Sequence, residues 1–163
     1  MLKSVINAVR RNHALEHATI SILLNRHGPM RVVGRAVPDG FYIYGDIPTE
    51  RLRELADEAL ARLQRGEADL AVSPLCGTNI AVAGVLAGLG SYVALGSGPR
   101  RAGGVSGAIM AAMLAVLAAQ PVGRLIQKHY TTSPDLRDVR IVSVSPMGRR
   151  LFPGHKVRTA GTA

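Results

Sequence analysis

The chain has no tryptophan, two phenylalanines, four tyrosines and one cysteine in 163 residues. The single cysteine, Cys76, excludes an intramolecular disulfide and is consistent with a reducing compartment. Few aromatic rings leave little on which to stack nucleobases, so no nucleic-acid partner is expected despite a net charge of +9. Charge is missing from one long stretch: between residues 70 and 123 the charged side chains are the adjacent Arg100 and Arg101 alone. That stretch also lacks acids and histidines, which argues against a transporter with an intramembrane proton or ion path. Low-complexity sequence is absent too, and the recurrence of Val72-Ser73-Pro74 as Val144-Ser145-Pro146 is too short to make a repeat.

What the uncharged stretch does contain is two runs, 70–99 and 102–123, each long enough to cross a hydrocarbon core, which takes about 20 mostly apolar residues in a helix. The connection, 96–104, holds glycines, Pro99 and both arginines, as a turn at the water interface should. A buried soluble helical hairpin is the alternative, because alanine and glycine keep both runs only moderately apolar. Gly84 and Gly88 form a GxxxG pair, and Ala111, Ala115 and Ala119 share that spacing, which lets helices pack closely on each other or on a partner. Pro121 predicts a kink or an exit near the end of the second run. Of 20 lysines and arginines, two lie in the connection, and Arg62, Arg65, Arg124, Lys128, Arg137 and Arg140 flank the runs on the other side. The positive-inside rule then puts both termini in the cytoplasm, at the cell inner membrane. The basic surface suits the lipid bilayer and its anionic headgroups.

The remainder reads as a small soluble domain. Met1-Leu2-Lys3, with Val5 and Ile6 soon interrupted by Arg10 and Arg11, is too short for a signal peptide, so the N-terminus is expected to stay. Residues 1–24 predict an amphipathic helix whose stripe is Leu2, Ile6, Val9, His13, Glu16, His17, Ile20 and Leu24, ended by Gly28-Pro29. Residues 31–37 and 41–47 predict strands around Pro38-Asp39-Gly40. Thr49 is a plausible N-cap for a helix that buries Leu52, Leu55, Ala56, Ala59, Leu60 and Leu63. Residues 70–73, 139–145 and 156–159 predict further strands. The fold class is thus an α+β membrane protein, a two-helix transmembrane hairpin (79–127) inserted in a small α+β soluble domain (1–78 and 128–163).

The chemical signal is His13-Ala14-Leu15-Glu16-His17. On a helix, positions i and i+4 share a face, so His13 and His17 can offer two imidazoles to one metal ion with Glu16 beside them. The H-x-x-E-H order resembles the inverzincin metalloproteases, and that resemblance implies zinc on His13 and His17 with Glu16 as general base. Its position on an apolar stripe means that these groups need partners, which a metal, an arginine, backbone groups or interfacial water could supply.

For a third ligand the downstream acids Glu50, Glu54, Asp57 and Glu58 look like solvated surface. Cys76 is the better candidate, because a thiolate ligates zinc well, with Asn79, His129 and His155 in reserve. Cys76 could instead be a nucleophile activated at a helix N-terminus, or simply a small buried residue at a turn.

The run from Arg11 to Ile20, then Gly40-Phe41-Tyr42, then Cys76-Gly77-Thr78-Asn79 before an apolar run, resembles a family of small uncharacterised bacterial membrane proteins, domain of unknown function 6391. The resemblance implies a membrane location and no particular activity. Two functions are compatible with these residues. One is a membrane-anchored zinc-binding protein, which catalytic use of the motif would make a hydrolase. The other is a non-catalytic subunit that packs its hairpin into a homo-oligomer or a larger membrane complex.

Overall fold

A computed structural model describes residues 2–96, 104–148 and 153–161. The predicted turn at Arg100 and Arg101 lies outside the described residues. The chain divides into two compact units, Met1–Ser73 with Lys128–Ala163, and Pro74–Gln127. Each is described by itself.

In the first unit, helix α1 (Leu2–His27) leads to strands β1 (Val33–Val37) and β2 (Gly40–Tyr44) and to helix α2 (Thr49–Gln64). A 3-10 turn, Ala68–Ala71, follows α2. After the second unit, strands β3 (Arg140–Met147) and β4 (Gly154–Ala160) complete an antiparallel sheet in the order β1-β2-β4-β3. Alternation along β2 sends Phe41 and Ile43 inward, and β4 adds Val157 beside them. Both helices pack on that inward side, where Leu15, Ile22 and Leu23 of α1 meet Leu52, Leu55, Ala59 and Leu63 of α2 in one core. Each large side chain buried there contributes about 1.5 to 3 kcal/mol.

Several local expectations are corrected. Helix α1 runs three residues beyond 24, and Gly28, at φ +77°, closes it by donating its N–H to the Leu24 carbonyl. The predicted stripe is buried at Glu16 and His17 but exposed at Leu2 and Ile6, and the burial is wider than one stripe: all positions from 14 to 19 are buried because α1 is covered by the sheet, by α2 and by the 3-10 turn. Thr49 is the first helical residue rather than the cap, a position held by Pro48, and its hydroxyl hydrogen-bonds His155 Nε2 at 3.0 Å. Residues 70–73 form no strand. Gly66, at φ +93°, turns the chain out of α2 into the 3-10 turn, which buries Ala71 in the core by α1.

The second unit holds helices α3 (Gly77–Leu95) and α4 (Gly104–Ile126). Both are long and apolar enough to cross a membrane. They pack on each other through Ala115 and Ala119, which are buried, and through Gly90 against Ala111. Gly84 and Gly88 are not part of that contact, since a Cβ at either would meet nothing within 4 Å. Pro121 is no exit. Helix α4 continues through it, and a π-helical turn, Gln127–Thr131, follows. At the base of the pair, Asn79 donates to the Pro74 carbonyl at 2.8 Å and accepts from Gln127 Nε2 at 3.0 Å, and Gly123 leaves the room that the Asn79 side chain fills.

Candidate metal centre

Helix α1 carries His13, Glu16 and His17 on adjoining positions at the middle of the first unit, and the two rings stand 4.2 Å apart, centroid to centroid, tilted by 59°. Each ring is fixed from outside the helix. His17 Nδ1 lies 2.8 Å from the carbonyl oxygen of Ala71, and His13 Nδ1 lies 3.0 Å from that of Thr131. A carbonyl oxygen only accepts, so Nδ1 carries the hydrogen in both rings. In the neutral imidazoles Nε2 is therefore the basic nitrogen on both residues. Metal-ligating histidines are commonly held in this way, with the non-ligating N–H donated to a backbone carbonyl.

Glu16 is the third member. Its carboxylate lies 3.9 Å from His13 Nε2, too long for a hydrogen bond and close enough for a charge interaction. The residue is 5% exposed. Burial lifts its carboxyl from 4.5 to about 7, and the neighbouring His13 offsets part of the rise. Room for the carboxylate comes from Gly34 in β1, where any Cβ would collide with the Glu16 side chain. One turn earlier, Asn12 is fully buried and ties α1 to the sheet: its Nδ2 donates to the carbonyls of Val37 at 2.8 Å and Pro38 at 3.1 Å, and its Oδ1 accepts from Thr159. Arg10 reaches from the same helix to the carbonyls of His129 at 3.0 Å and Thr132 at 3.2 Å, holding the segment that supplies Thr131.

The other candidates fall elsewhere. His155, on β4, pairs with Thr49, and burial lowers its pKa. His129 is exposed. Asn79 is engaged with Pro74 and Gln127 in the second unit. Glu50, Glu54 and Asp57 are exposed, and Glu58 forms an ion pair with Arg26 at 2.6 Å. In the second unit Cys76 holds the N-cap position of α3, where its sulfur accepts from the Thr78 N–H at 3.4 Å. The thiol in turn donates to the Thr78 hydroxyl at 3.4 Å. Asn12, Gly34, Ala71 and Thr131 were not singled out from the sequence. A glycine inside a strand does signal close approach by another group, and Gly34 carried that signal.

The sequence model of the family described as Domain of unknown function (DUF6391) matches residues 8–144. The chain belongs to that family. An uncharacterized protein of Picosynechococcus sp. (strain ATCC 27264 / PCC 7002 / PR-6) is 34% identical over 137 residues, which cover 77% of this chain and 66% of the relative. The chain thus spans just under two thirds of that relative's length. No solved structure matches the chain.

Proposed function

We propose that this member of the family is a membrane-anchored zinc protein in which His13 and His17 bind the metal through Nε2. The observation that carries the reading is the pair of hydrogen bonds from Nδ1 to the carbonyls of Ala71 and Thr131, which set the tautomer a divalent metal requires on both rings. His13, His17 and Cys76 make a donor set that could hold a metal ion, and Cys76 follows Ala71, the residue that orients His17, by five positions in the chain. Cys76 is accordingly our third ligand. Three protein ligands of this kind would suit a catalytic zinc better than a four-ligand structural one.

Bound by these residues, zinc would supply Lewis-acid activation of water. Glu16, with its carboxyl lifted to about 7, is suited to accept a proton near neutral pH. The chemistry this supports is hydrolysis, with the resemblance of H-x-x-E-H to inverzincins pointing the same way. Helices α3 and α4 supply the anchor, with both termini on the cytoplasmic side of the inner membrane.

Metal analysis of the detergent-purified protein tests the reading. About one zinc per chain is expected. His13→Ala with His17→Ala should lose it, Cys76→Ser should weaken it, and Glu16→Gln should keep it while abolishing hydrolysis. A wild-type protein that stays metal-free after zinc is supplied and the excess removed overturns the assignment.

A second reading, a non-catalytic subunit of a membrane complex, is favoured by Gly84 and Gly88. Their spacing suits close helix packing, and α4 does not use it. Metal-free protein that purifies with a stoichiometric partner would support this reading instead.

A further inference from the structure

Helices α1 and α2 cover one side of the sheet, and the strand registers define what the other side presents. Arg35, Tyr42, Lys156 and Ser145 form one row across all four strands. Val33, Tyr44, Gly154 and Met147 form the next, and Val37, Gly40, Arg158 and Ser143 the row on the opposite flank. Arg140 extends the same side along β3. Among the described residues, these outward positions carry four cations and no acid, and Arg35, Arg140 and Arg158 are exposed.

The aromatic content of this face is more than composition suggests. Two of the four tyrosines in the chain, Tyr42 and Tyr44, stand here on one strand, their rings 6.2 Å apart and nearly parallel at 21°. Lys156 lies over the Tyr42 ring, 4.3 Å from its centre, and bonds Asp39 in the β1–β2 turn at 2.7 Å. The neighbours are small. A Cβ at Gly154 would press against the Tyr44 ring at 3.0 Å, and one at Gly40 would strike the Val157 carbonyl, so glycine at both positions keeps the surface around the tyrosines low. A strand surface with exposed arginines and paired rings matches what single-stranded nucleic acids need: π-faces for the bases and cations for the phosphates.

We propose that the outward face of the four-stranded sheet, centred on Tyr42, Tyr44, Arg35 and Arg158, binds single-stranded nucleic acid. This reverses the expectation from composition, which counted aromatics without knowing that the sheet gathers them. A second copy is a poor occupant, because two such faces would oppose like charges. Anionic lipid would use the arginines but would leave unused the ring pair that unstacked bases need. The proposal does not depend on the metal centre.

Fluorescence anisotropy of a labelled mixed-sequence single-stranded RNA, titrated with the full chain in mild detergent, is the test. Tyr42→Leu is expected to weaken binding about fivefold or more, the lower end of the loss of one stacking contact. Arg35→Gln with Arg158→Gln should weaken it further and reduce the slope of log affinity against log salt by about 1.4, two lost phosphate contacts. Arg51→Gln with Arg53→Gln, the same loss of charge on α2, should leave it near wild type. Should Tyr42→Leu fail to fold, the comparison of the two arginine pairs still decides. The proposal is overturned by no binding at low salt, by equal losses in both arginine pairs, or by duplex bound as tightly as single strand. Displacement of the RNA by an acidic peptide or by phosphatidylglycerol vesicles at similar concentration also overturns it, and reassigns the face to that partner.

Discussion

Glu16→Gln probes the centre of α1 through its pH dependence. In the folded chain burial lifts the Glu16 carboxyl from 4.5 to about 7. A carboxyl with a raised folded pKa keeps its proton in the folded chain while the unfolded chain has already lost it. Below pH 4.5 it contributes no difference, and stability is then lost as pH rises through the window up to about 7. At about 1.4 kcal/mol per pH unit the gap amounts to about 3 kcal/mol, of which about 2.5 falls between about pH 5 and about pH 8. Glutamine stays neutral, so the variant lacks this loss. The lowered His155 works in the opposite direction, since its folded form sheds a proton earlier than the unfolded chain. That contribution is common to both proteins and cancels in the comparison. Asp39, Glu67 and Asp135 have lowered carboxyls, and their stabilisation is lost only as pH falls below the ordinary carboxylate range, outside the window. The assay is denaturant unfolding of metal-free protein in chelator at the two pH values. An equal pH dependence in wild type and variant would refute the burial of an ionisable carboxylate at this position.

Other substitutions test the surrounding framework. Asn12→Ala removes the bonds to Val37, Pro38 and Thr159 and should cost about 2 to 4 kcal/mol in denaturant unfolding. Gly34→Ala drives a Cβ into the Glu16 side chain and should cost about 1 to 3 kcal/mol, a penalty that Gly34→Ala combined with Glu16→Ala should largely relieve. Gly40→Ala, at φ +144° against the Val157 carbonyl, should lower the melting temperature more than Gly66→Ala, whose Cβ would meet open space. Asn79→Ala removes the acceptor that Asn79 Oδ1 gives the buried Gln127 amide, and thermal melting in detergent should show a loss of about 1 to 3 kcal/mol.

Much of this protein is legible in its sequence because the signals are local. Periodicity marks α1, α2 and four of the five predicted strands, turn residues mark Gly28 and the β1–β2 connection, and the lack of charge marks α3 and α4. The H-x-x-E-H spacing alone places two imidazoles and a carboxylate on adjoining positions of one helix. Local pattern misled where a neighbour decided the outcome: the 3-10 turn took residues 68–71 from a strand, and the covering elements moved the buried side of α1.

Only the tertiary structure settled the chemistry of those side chains. The two carbonyls that fix the imidazole tautomers come from Ala71 and Thr131, 54 and 118 residues away from their histidines. Glu16 acquires its raised pKa from desolvation beside Gly34, and Arg158 and Arg140 join Tyr42, Tyr44 and Arg35 on one face only because β4, from the far end of the chain, pairs between β2 and β3. Sequence spacing dictates what one helix or strand presents along its own axis. Which groups come to face it depends on contacts between segments far apart in the chain, and protonation and recognition follow from those contacts.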